Sequence, residues 1–295
     1  MAGATQTTAA PPKFNSAGAW DYLVKQVDFG PRKPGTKPHI DCRDYIEDEM
    51  KKSCDNVRLQ PFTHIWSVGQ ERLSMWNIIG EQDYANSPVR VALFAHWDTR
   101  PTANNDPNPA NQDKPILGAD DGASGVAVLL ELMKDMKGKH PGIGVLYVMI
   151  DGEDLGPGEE EMYLGADYFA AHHGDPKPDY GILLDMIGNV GVRVTEEPNS
   201  LNLAPTLTKL LFAHAANIGL ADTFPAILGP YPIDDDHLPI IRAGIPTVDL
   251  IDLTYPQWHT LADTPEHCSP DSLGKVGKLL ASWLTSHDAV LAAGK

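Results

Sequence analysis

VRVALFAHWD, residues 89–98, decides the fold. A strand with one wet face alternates apolar and polar residues, whereas a strand covered on both faces reads as a nearly unbroken apolar run. This stretch is of the second kind, and it ends on His96 and Asp98. Further runs share its character: MWNIIG (75–80), GVLYVMID (144–151), YGILLDMIG (180–188) and TVDLI (247–251). Amphipathic stretches separate them. Val126, Leu129, Leu130 and Met133 stand at i, i+3, i+4 and i+7, a helical stripe. Ser269-Pro270-Asp271 reads as an N-cap with proline at the first helical position, opening a final helix through Leu273, Val276, Leu280, Trp283 and Leu284. Alternating strands and helices predict an α/β fold, a mostly parallel mixed sheet with helices on both faces. Residues 14–295 are expected to form one such domain, after a small, polar, flexible tail over 1–13.

Composition narrows the function. The chain has 295 residues, 42% of them hydrophobic, which suffices for a substantial core. No run of eighteen apolar residues occurs, so no membrane span is expected. The formal charge of -17 argues against binding nucleic acid through phosphates and favours cationic ligands. Three cysteines, Cys42, Cys54 and Cys268, are too few for a disulfide scaffold and include no Cys-x-x-Cys pair. Cys42 and Cys54 are expected on one helix, as buried thiols too far apart to bridge.

The chemistry gathers where strands should end, as it does in folds of this class. FAHWD (94–98), MIDGED (149–154), LLDMIG (183–188) and the stretch closing on QWHT (257–260) each place a histidine or an acid there. Each has a bland alternative. His96 and Asp98 could form a surface turn. GADDGASG (118–125) could be a helix cap. Asp234-Asp235-Asp236-His237 could be a solvated cap, and His259 an ordinary half-buried histidine. Glu153-Asp154 are adjacent carboxylates that repel without a metal, leaving one protonated or both exposed, whereas a cation separates their roles. Together the residue types are those of a zinc site with nitrogen and oxygen ligands and one open position.

In order, HxD, DDGASG, a Glu–acid pair, LLDMIG and a C-terminal WHT, the motifs resemble the zinc-dependent aminopeptidases of the leucyl-aminopeptidase type. Within that superfamily the chain resembles the glutaminyl-peptide cyclotransferases over about residues 14–290. DFGPRKPGT (28–36), the stretch 96–125 and IDDDHLPIIRAGIPTVDLI (233–251) followed by YPQWHT (255–260) carry the likeness. The resemblance implies one zinc ion held by Asp121, Asp154 and His259, with Glu153 moving the proton. It implies that Asp185 and Asp235 support Glu153 by hydrogen bonds, and that Trp258 and Tyr255 line the substrate pocket. His96 and Asp98 would be structural or hold a second metal. The implied substrates are peptides or proteins with N-terminal glutamine, cyclised to pyroglutamate with loss of ammonia. A monomer is expected, periplasmic or secreted with a leader removed. The rival is a two-zinc aminopeptidase using His96, Asp121, Asp154, Asp185 and His259. Two positions depart from the animal cyclotransferases: Asp154 stands where they have Glu, and Met162 or Tyr163 stands where many have a pocket tryptophan.

Overall fold

The β-branched and aromatic runs pair into a six-stranded sheet. The computed structural model describes residues 13–295, so nearly all of the expected flexible tail lies outside the described residues. The strands are β1 (Asn56–Trp66), β2 (Glu71–Gln82), β3 (Val89–His96), β4 (Ile143–Ile150), β5 (Tyr180–Asp185) and β6 (Thr247–Ile251), in the order β1-β2-β4-β3-β5-β6. β4, β3, β5 and β6 run parallel, while β1 pairs antiparallel with β2 and β2 with β4. The helices are α1 (Ser16–Asp28), α2 (Lys37–Ser53), α3 (Ala123–Met136), α4 (Leu164–His172), α5 (Pro198–Leu203), α6 (Pro205–Asn217), α7 (His237–Arg242), α8 (Pro270–Trp283) and α9 (His287–Ala292).

The period of two along each strand sends alternate residues to opposite cores. Val91, Leu93 and Ala95 of β3 join a large core with α1, α2, α3, α6 and α8. Ala92 and Phe94 join a smaller one with Ala166 and Phe169 of α4 and Ile240 of α7. Both faces are therefore covered, as the unbroken apolar runs predict. α3 is buried almost all round rather than along one stripe, because α1, α2 and α8 pack on it as well as the sheet. Ser269 caps α8 as expected, its Oγ accepting the Ser272 N–H at 3.1 Å. All three cysteines are buried and free, and Cys54 sits one residue beyond the end of α2 rather than within it.

The connections position the site. From β3 the chain crosses through α3 to β4 on one side, then through α4 to β5 on the other. Where successive connections diverge, the carboxyl ends of neighbouring strands open a crevice that neither loop fills. β3 ends on His96, β5 on Asp185, and β4 leads directly into Asp151–Asp154. No helix among the described residues is long and apolar enough to cross a membrane.

Candidate active site

The loop after β4 holds three acids and must aim them differently. Gly152 turns it with φ +69°, where a Cβ would lie 2.7 Å from Met75 Sδ, so only glycine fits. Asp151 consequently points back to the buried His39, 2.8 Å from its Nε2, and accepts the Trp76 N–H. Glu153 and Asp154 point into a cavity of about 370 Å³. Their backbone is gripped from just past the end of β3: Asp98 Oδ1 accepts the N–H of Glu153 at 3.2 Å and Oδ2 that of Asp154 at 3.3 Å. The loop ahead of α3 is held in the same manner. Asp263 Oδ1 accepts the N–H of Asp120 at 2.9 Å, its Oδ2 accepts that of Asp121 at 3.2 Å, and the Tyr255 hydroxyl donates to Oδ1.

These two gripped loops bring Asp121 and Asp154 to His259. The His259 Nε2 lies 3.5 Å from Asp121 Oδ2 and 3.3 Å from Asp154 Oδ2. All three residues are nearly buried, and both of those carboxylate oxygens lack a hydrogen-bond partner. Tetrahedral zinc with bonds of roughly 2.0–2.1 Å separates its ligand atoms by about 3.3 Å, which these spacings match. Buried acceptors without donors, beside an imidazole, fit a cation. A second set, His96, Asp121 and Asp185, also lies within ligand reach of one point. Here His96 Nε2 is 3.2 Å from both Asp121 Oδ1 and Asp185 Oδ1, so a proton on that nitrogen already serves the set.

Charges sort the neighbouring acids. Burial pushes Glu153 well above the usual carboxylate range, Asp154 pushes it further, and His96, its Nδ1 at 3.6 Å, pulls it back. Burial acts on Asp154 too, but His259 and Arg100 outweigh it and hold this carboxyl below its ordinary value. The adjacent acids are thus split, Glu153 with the higher proton affinity and Asp154 with the lower. His96 is raised well above the ordinary imidazole value: burial opposes the charge, but Asp121, Asp185 and Asp98 overcome it. Behind Glu153, Asp235, Asp236 and Asp249 form a buried set, all raised by burial first and by their neighbours next.

The cavity wall joins this acidic floor to aromatic sides. Trp258 is 45% exposed at the mouth, its ring 4.1 Å from the His259 imidazole. Met162 and Tyr163 both line the cavity, and the Tyr163 hydroxyl donates to the Asp234 carbonyl at 2.6 Å. Tyr163, Met186 and His259 all adopt left-handed φ, at 59°, 46° and 56°. Such backbone costs roughly 1–3 kcal/mol per non-glycine residue and persists where surroundings dictate a side-chain direction.

Of the residues expected from sequence, Asp121, Glu153, Asp154, Asp185, Asp235, Tyr255, Trp258 and His259 line this one cavity. Tyr255 is 5% exposed, with its hydroxyl committed to Asp263. Asp185 Oδ1 lies 3.2 Å from His96 Nε2, and Asp235 Oδ1 accepts the Asp236 N–H. Asp98 lies 3.7 Å from His96 Nδ1, and its two oxygens accept the Glu153 and Asp154 N–H groups, which makes it a clamp on that loop. Sequence reasoning passes over Asp263 and Arg100. Asp263 follows the WHT motif by three residues, and an acid so close behind a histidine is a signal for it; nothing local distinguishes Arg100.

An open, helix-covered mixed sheet that converges acids and imidazoles at its parallel strand ends has the architecture of a metal-dependent α/β enzyme. The profile of peptidase family M28 matches residues 77–284. The chain belongs to peptidase family M28. A glutaminyl-peptide cyclotransferase-like protein of Mus musculus is 24% identical over 290 residues, covering 87% of this chain and 72% of the relative. Among solved structures, a Zn-dependent exopeptidase of Parabacteroides distasonis is 34% identical with a TM-score of 0.89, covering 94% of this chain and 100% of its own. A glutaminyl cyclase of Bacteroides thetaiotaomicron bound to N-acetylhistamine is 36% identical with a TM-score of 0.88, covering 92% and 98%. Family and neighbours together imply zinc.

Proposed function

We propose that this enzyme is a glutaminyl-peptide cyclotransferase, closing the side chain of an N-terminal glutamine onto its own α-amine to give pyroglutamate and ammonia. One observation carries the reading: two unpartnered carboxylate oxygens and one imidazole face a common point beside Glu153, under the Trp258 ring, in a chain akin to glutaminyl cyclases. Asp121, Asp154 and His259 would hold one zinc ion. Bound there, the ion supplies Lewis acidity, polarising the γ-carbonyl and stabilising developing negative charge.

The chain's own groups do the rest. The cavity of about 370 Å³ suits a single residue side chain and its backbone. Trp258 covers the aliphatic part of the glutamine, and Met162 and Tyr163 form the facing wall. Holding amine and γ-carbonyl together makes ring closure effectively unimolecular. Glu153, as its carboxylate, accepts a proton from the attacking α-amine and returns it to the departing amide nitrogen; the new C–N bond forms as the old one breaks. The elevated proton affinity of Glu153 suits it to both steps near neutral pH. Asp185 acts on Glu153 through His96, and Asp235 acts on it through its charge.

The two-zinc aminopeptidase is the second reading, because His96, Asp121 and Asp185 share a point. A glutaminyl dipeptide and a leucyl dipeptide separate the two. Ammonia release with the peptide bond intact is expected; free amino acid from the leucyl substrate overturns the cyclotransferase reading. Glu153→Gln should reduce turnover by roughly 10²–10⁴-fold while zinc content, read by elemental analysis, stays at one per chain.

A further inference from the structure

The segment 100–105 touches two of the three proposed metal ligands. The Arg100 guanidinium donates through Nη1 to Asp154 Oδ1, the oxygen turned away from His259. Its Nε donates to Asn104 Oδ1 at 2.6 Å, and Asn104 Nδ2 donates in turn to Asn105 Oδ1 at 3.1 Å. The Asn105 N–H then donates to the His259 carbonyl at 3.1 Å. One short loop thus ties the side chain of a carboxylate ligand to the main chain of an imidazole ligand more than a hundred residues on. The Arg100 side chain is 10% exposed, and its burial is tolerable because Asp154 and Asn104 take up its donors.

We propose that Arg100 is a positioning residue that makes Asp154 a one-oxygen ligand and, through Asn104 and Asn105, couples it to His259. The proposal rests on Asp121, Asp154 and His259 being the metal set. The shorter acid at 154 sharpens the need. An aspartate offered to a cation with both oxygens free can chelate through both, an arrangement that suits larger ions with six to eight oxygen ligands. Four-coordinate zinc is served by single donors. With Oδ1 committed to the guanidinium, only Oδ2 faces Asp121 and His259, so the site is built for a small ion with an open position.

Zinc affinity of the full chain, measured by competition with a chromophoric chelator, tests this without reference to turnover. Arg100→Gln should weaken zinc binding roughly 10–100-fold, the usual loss when an outer partner of a ligand is removed. The cobalt-substituted variant should show weaker visible absorption bands as Asp154 turns both oxygens to the ion. Arg100→Lys, which keeps one donor, should recover most of the affinity. Asn104→Ala, which frees the guanidinium without removing it, should fall between. If Arg100→Gln does not fold, the same two measurements on Asn104→Ala decide the question. Wild-type affinity and an unchanged cobalt spectrum in Arg100→Gln, or in Asn104→Ala where the former does not fold, overturn the role of Arg100 alone. A wild-type chain that takes up no zinc overturns the metal assignment and this proposal together.

Discussion

Asp98 and Asp263 perform one task on two loops. Each offers both carboxylate oxygens to consecutive backbone N–H groups, and each pair of N–H groups belongs to a residue pair that carries an inward-facing acid. The device spares the site a mobile loop, at the expense of adding buried negative charge. Burial first, then Asp121, raise the Asp263 carboxyl from its ordinary 3.8 to about 7, against the bonds it accepts. The folded chain therefore holds that proton more tightly than the unfolded chain. The associated stability is full below about pH 4 and lost as pH rises to 7, on the order of 4 kcal/mol if the whole shift is realised. In metal-stripped protein, Asp263→Asn should give a shallower decline of urea-measured stability between pH 4 and 7 than wild type; parallel declines would show that Asp263 does not carry the effect. Glu153, Asp154 and Asp185 are legible in the sequence because they close or follow apolar runs, a poor place for charge without purpose, and Asp121 is legible only through the DDGASG motif. The clamps are not, because Asp263 and Asp121 meet only after 142 residues of chain have been folded between them.

At the scale of elements, α3 transmits the sheet's position to the site. Its residue Gly125 lies so close to the sheet that a Cβ there would meet the Leu184 carbonyl at 2.5 Å and Ala95 Cβ at 2.9 Å. Backbone cannot yield as a flexible side chain can, so a larger residue must lift the helix. Gly125→Val should destabilise the fold by about 1–3 kcal/mol in a denaturant melt and weaken zinc binding, since Asp121 rides four residues ahead. Wild-type zinc affinity in this variant would show that the Asp263 clamp, not the helix, sets Asp121. The five strands expected from sequence all form, four of them because two-sided burial leaves an unmistakable run. β1 escapes such a reading for a physical reason. It is an edge strand, largely exposed or half-exposed, with Pro61 at its centre, so it carries no continuous apolar run and tolerates a residue that a central strand would not.

For the molecule as a whole, the concentration of unpaired acid in one cavity makes the ion a stability factor. A ligand present at a thousand times its dissociation constant adds about 4 kcal/mol to the folded state. Chelation should then lower the melting temperature by roughly 10 °C, restored by stoichiometric zinc, at the few degrees per kcal/mol expected for a chain of this size. A melting curve indifferent to chelator would speak against any tightly held ion. The direction of the strands has a practical corollary. Every reactive group lies past the carboxyl ends of β3, β4, β5 and β6, whereas the turn before β4 lies at the other rim and leaves Gly138 open to solvent. A tether attached at that turn would present the enzyme to a surface with its mouth outward, ready for use as an immobilised reagent on long polypeptides.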